Sequence, residues 1–94
     1  MSSAFVDTDV IIRLLTGDDS RKQQDAARLF SLAESGQVVL SAPVTVIADA
    51  VFVLSSSRLY NFGRAQVGGL LAQLVRNPSF EVQQKQEVLL ALQI

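Results

Sequence analysis

Phe5-Val6-Asp7-Thr8-Asp9-Val10-Ile11-Ile12 is the stretch on which the fold turns. A short apolar run delivers acidic residues to a turn, and the hydrophobic pattern then changes to helical spacing. A strand that ends in Asp-Thr-Asp and feeds a helix puts its carboxylates at the carboxyl end of a parallel strand, where open α/β sheets have their binding crevice. The rest of the chain reads as scaffold for that turn.

Working outward, Ala4 to Asp7 is predicted as a short buried strand and the first helix starts near Asp9, with Val10, Ile11, Leu14 and Leu15 on one face and Gly17 as its stop. Asp18-Asp19-Ser20 supplies caps for a second helix, whose apolar face is Ala26, Leu29, Phe30 and Ala33 and which Gly36 ends. Val38-Val39-Leu40 is a second strand, and Pro43 stands where the next helix begins. That third helix runs from Val44 to about Ser57, apolar over most of its circumference. Asp49 interrupts it at roughly 100° from the centre of the stripe, which places a carboxylate at the border of the core.

After the turn Tyr60-Asn61-Phe62-Gly63, a fourth helix carries Val67, Leu70, Leu71 and Leu74 on one face. Gly68 and Gly69 interrupt it at a cost of about 1 kcal/mol each relative to Ala, so they mark a close approach or a weak spot. Asn77-Pro78 ends it, Phe80-Glu81-Val82 is a third strand, and Glu87 to Leu92 opens a further helix. The order β-α-α-β-α-α-β-α forms one domain over residues 1–94 and calls for a parallel sheet with helices on both faces.

Composition narrows the chemistry. A chain of 94 residues buries only about 60 to 65% of the surface its unfolded form exposes, so its stability is modest. Hydrophobic residues make up 49% and the mean hydropathy is +0.32, rich enough that part of the excess is expected to face a partner. A net charge of −1 gives no global basic field, so any polynucleotide contact must be local. Cys and His are both absent, which removes disulfides, thiolate sites and the usual general base and leaves carboxylates as the main chemistry. No apolar run approaches a membrane span and the start lacks the charged region of a signal peptide, so a cytoplasmic location is expected.

The segments 5–19 (Phe-Val-Asp-Thr-Asp-Val-Ile-Ile-Arg-Leu-Leu-Thr-Gly-Asp-Asp), 39–54 and 77–82 resemble the PIN-domain family, most closely the VapC-type toxin ribonucleases of toxin–antitoxin pairs. The resemblance implies a three-layer PIN-like α/β domain that cuts RNA phosphodiesters with Mg²⁺ or Mn²⁺, the ion being held by a cluster of acids. Asp7 matches the first acid and Asp49, on the third helix, the second. Position 9, usually Asn in the family, is Asp here, and position 49, usually Glu, is one methylene shorter. In the family further residues follow, carrying two more strands and the remaining acids, and Glu81, Glu87, Asp18 and Asp19 do not stand at those positions. The resemblance therefore implies a PIN-like domain truncated after the third strand.

Two carboxylates about 5 Å apart repel by roughly 3 kcal/mol at an effective dielectric of about 20, so they share a proton or hold a cation. Hard oxygen ligands suit Mg²⁺ and Mn²⁺, and such an ion lowers the pKa of a bound water without any histidine. Plainer roles stand beside these: Asp7, Thr8 and Asp9 as helix caps, Asp49 as a boundary ion pair, and Arg13, Arg58 and Arg64 as a solvated face rather than phosphate contacts. In the family's strand order, 3-2-1-4-5, the first strand of this chain becomes an edge, and that edge is expected to be covered by a homo-oligomer or an element-swapped dimer. The expected partners are RNA, a cognate antitoxin protein and further copies of the chain. Two functions compete: a metal-dependent endoribonuclease toxin with Asp7 and Asp49 as ligands, and an inactive module that self-associates or binds an antitoxin. A receiver-like regulatory module is disfavoured because no suitable Lys and phosphoacceptor arrangement is present.

Overall fold

A computed structural model describes residues 2–93. Three parallel strands, β1 (Ser2–Phe5), β2 (Val38–Ala42) and β3 (Phe80–Val82), alternate with five helices, α1 (Thr8–Leu15), α2 (Ser20–Glu34), α3 (Val44–Ser55), α4 (Arg64–Val75) and α5 (Lys85–Leu92). The element order is the one expected from the sequence.

The strands lie in the order β1-β2-β3, so β1 and β3 are both edges and β2 is central. β1 begins and ends two residues earlier than expected. Its register pairs Ala4 with Leu40 and Phe5 with Ser41, and Val6 still donates a 2.8 Å bond to the Ser41 carbonyl. Asp7 leaves the ladder to cap α1, and this takes it out of the strand and starts the helix at Thr8 rather than Asp9.

Helix boundaries follow local chemistry. Asp19 caps α2 by accepting from Lys22 N at 3.0 Å, and α2 closes in a Schellman motif, with Gln37 N–H donating to Leu32 O and Gly36 N–H to Ala33 O. Gly36 has φ +83, a conformation costly for any residue with a Cβ. α3 stops two residues short of Ser57 because Ser56 turns to extended backbone. α5 starts earlier than expected, at Lys85, after Gln84 in the left-handed region.

The buried side chains of the sheet, Leu40, Ala42, Phe80 and Val82, all lie on one face, set by the register pairs Leu40 with Phe80 and Ala42 with Val82. Phe30 of α2 packs edge-on against Phe80, with ring centroids 5.4 Å apart, and Ile11, Ile47, Ala50, Leu54, Val67, Leu71 and Val88 complete the core. The opposite face carries Ser3, Phe5, Val39, Ser41 and Glu81, and Phe5 is 83% exposed. The expected helical layer on that face is not formed by the described residues. The cause is topological: both crossovers step in the same direction, and two right-handed crossovers that do so place their helices on the same side. The thinnest extent of the molecule, 17 Å, reflects this two-layer build.

Gly68 lies where the end of α5 crosses α4, and a Cβ there would run into the Leu92 carbonyl oxygen. Gly69 faces open space. Of the two glycines, the first permits a close approach and the second has no steric reason to be Gly.

Candidate acidic site

Asp7 stands where β1 hands over to α1. Its backbone is extended (φ −90, ψ 173) and its Oδ1 accepts a 3.0 Å hydrogen bond from Val10 N, so it is an N-cap in fact as well as by residue type. The cap occupies one carboxylate oxygen. Asp7 is exposed and borders a cavity of about 740 Å³ at the carboxyl ends of all three strands, whose walls include Val6, Pro43, Val46 and Val82. This is the crevice position that the opening stretch points to. Glu81 lines the same cavity, reaching it from β3 on the bare face of the sheet.

Asp49 sits midway along α3 and is exposed rather than at the core border, since the buried residues of that helix are Ile47, Ala50 and Leu54. Its helical neighbours locate it. Val46, three residues earlier, lines the cavity that Asp7 borders, and Val53, four residues later, lines a second cleft together with Thr8 and Asp9. Residues at such spacings share a helix face, so Asp49 occupies the α3 ridge that runs past the start of α1. α1 and α3 are in direct contact.

Among the described residues no group of three or more acidic side chains comes together as a metal cage. Asp7 and Glu81 are the acids that line the strand-end cavity, and Asp49 does not line it. Mg²⁺ keeps several waters and is commonly held by one or two carboxylates plus substrate phosphate, so a single rim carboxylate is within its donor chemistry. Asp9, exposed and four residues before Arg13, pairs with that arginine at 3.4 Å (Nε to Oδ1). Arg58 and Arg64 are exposed.

A second polar cluster went unread in the sequence. Asp18 was expected to serve as a cap, yet Asp19 alone does so. Asp18 Oδ2 accepts a 2.6 Å bond from the Tyr60 hydroxyl, and its Oδ1 lies 2.9 Å from the Thr16 hydroxyl, whose single proton it shares with the Ile12 carbonyl at 2.8 Å. Arg13 Nη1 approaches both oxygens at 3.5 Å. The Tyr60 and Thr16 bonds and the nearby Arg13 charge hold the Asp18 carboxyl below its usual range, and the same carboxylate pushes the Tyr60 phenol up. The available signal was Thr16, a polar residue in a helix-terminating turn that proves to be buried. No helix is long and apolar enough to cross a membrane among the described residues. Comparison of the chain with protein-family models, with curated proteins and with solved structures found no match.

Proposed function

We propose that this chain is a PIN-type, metal-dependent endoribonuclease of the VapC-like kind, with Asp7 and Asp49 holding Mg²⁺ or Mn²⁺. The observation that supports it most is the position of Asp7: an exposed carboxylate with one oxygen left free by its cap, on the rim of a crevice at the strand ends whose α3 wall is Val46, one helical turn before Asp49. The ion supplies Lewis acidity toward a phosphodiester and acidifies a bound water. Asp7 and Asp49 hold and orient it, the α1 cap fixes the Asp7 rotamer, and Pro43 and Val46 shield the rim on the α3 side.

The reading is tested by RNA cleavage with added Mn²⁺. Cleavage by the parent that disappears in Asp7→Asn supports it. Cleavage that survives the substitution, or none in the parent, overturns it.

A second reading is favoured by the exposed side of the sheet: an inactive module that self-associates, or binds an antitoxin, through the β1 edge. Ser2 to Phe5 carries no charge or proline, whereas the β3 edge is only three residues long and is guarded by Pro78 and Glu81. A parallel sheet bare on one face is uncommon. This module would keep the scaffold and bind partners without cleaving RNA.

A further inference from the structure

β1 is open along one side, and the ladder on its other side fixes which of its groups are free. Alternate residues of a strand turn their backbone groups the same way. Ala4 pairs with Leu40 and Val6 N–H donates to the Ser41 carbonyl, so the even-numbered residues face β2 and the N–H and C=O of Ser3 and Phe5 point away from it. The side chains of the same two residues stand on the bare face of the sheet, where Phe5 is 83% exposed. Two donors, two acceptors and an uncovered aromatic ring therefore lie along one uncharged edge.

We propose that two copies of the chain pair antiparallel along β1 about a two-fold axis at Ala4, forming one sheet in the order β3-β2-β1-β1-β2-β3. The inference deepens the self-association reading above and rests on it, adding partner, direction and register. An antiparallel edge accepts only registers that set outward-facing residues opposite each other. With the axis at Ala4, Ser3 of each copy faces Phe5 of the other, and both pairs exchange two backbone bonds. An axis at Phe5 would leave a single exchanging pair, because Asp7 has left the ladder to cap α1. An axis at Ser3 would carry the two Phe5 side chains away from each other. At Ala4 they are diagonal neighbours on the bare face, roughly 7–8 Å apart and within reach of ring contact, so each covers the other. The two Asp7 carboxylates fall at opposite ends of the pairing, and no like charges meet along it. Such a pairing uses both β1 edges and closes at the dimer.

The chain has no Cys, so introduced cysteines read the register directly. Sedimentation of the full chain at micromolar concentration should show a dimer. Ala4→Cys should link to itself under oxidised glutathione, because facing residues of a non-hydrogen-bonded pair lie about 4.5 Å apart at Cα, within disulfide range. Ser3→Cys and Phe5→Cys should each stay unlinked alone and link when mixed, their facing Cα atoms being about 5.5 Å apart. In the unsubstituted chain, the Ser3 and Phe5 amides should exchange with solvent at least about tenfold more slowly in the dimer than after dilution to monomer. A dimer in which Ala4→Cys stays unlinked and these two amides exchange freely overturns the proposal and leaves the self-association reading standing, and so does one in which Ser3→Cys or Phe5→Cys links alone. Species larger than a dimer overturn the closed two-fold pairing in the same way. A monomer overturns both.

Discussion

The Tyr60 hydroxyl donates a 2.6 Å hydrogen bond to Oδ2 of Asp18, 42 positions away, and among the described residues every other side-chain hydrogen bond spans 9 positions or fewer. It ties the α3–α4 connection to the turn between α1 and α2. Tyr60→Phe should therefore lower the melting temperature, and the loss should depend on pH. Asp18 has a folded pKa below its ordinary 3.8, so its contribution is present above that value and is lost as pH falls through the folded pKa. Tyr60 has a folded pKa above its ordinary 10.0, so its contribution is present below that value and is lost as pH rises through the folded pKa. The gap in melting temperature between parent and Tyr60→Phe should be widest between these limits and shrink beyond each. A gap that is constant with pH would refute the ionic character of the bond.

Gly68 and Gly69 should respond to alanine in opposite directions. At Gly68 the new methyl meets the Leu92 carbonyl, so α5 must shift, at a cost of about 1–3 kcal/mol. At Gly69 the methyl enters open space in a helix, and the exchange should stabilise by up to about 1 kcal/mol. Urea denaturation of the two variants reads both signs, and equal effects would mean that α5 does not pack as described.

Much of this fold was legible because it is written in local patterns. The alternation of apolar runs, the Asp19 cap and the Gly36 stop give every element in order. Asp7 was legible by type and place, since a cap and a crevice carboxylate call for the same residue. Element order alone does not reveal the one-sided sheet, because the layer count depends on the direction in which each crossover steps, which the strand order implied by the resemblance, 3-2-1, carries and the local helical and strand patterns do not. The Asp18–Tyr60 bond has no local signature at all. The doublet Gly68-Gly69 could not be divided by propensity, because only the path of α5 distinguishes its members.

The β1 edge makes a prediction about assembly. Ser2 to Phe5 offers unguarded backbone groups on one side, with Phe5 exposed on the bare face. Sedimentation at micromolar concentration should show a dimer or larger species, and Phe5→Lys should shift it toward monomer. A well-folded parent monomer at those concentrations would remove the self-association reading.

Asp7 caps α1 and, in the proposed reading, also holds the metal, two roles that substitution can separate. Asn keeps the capping oxygen, so Asp7→Asn should unfold within a few tenths of a kcal/mol of the parent, whereas Asp7→Ala should lose about 1 kcal/mol. Both should lose metal affinity. Equal stability of all three proteins would mean that the cap contributes nothing.

The grip on one divalent ion proposed for Asp7 and Asp49 together is tested most directly by calorimetric titration of Mn²⁺ into the parent, Asp7→Asn and Asp49→Asn. One site per chain is expected in the parent, weakened at least tenfold by either substitution. Parent-like Mn²⁺ binding in Asp49→Asn would show that the two carboxylates do not act on the same ion.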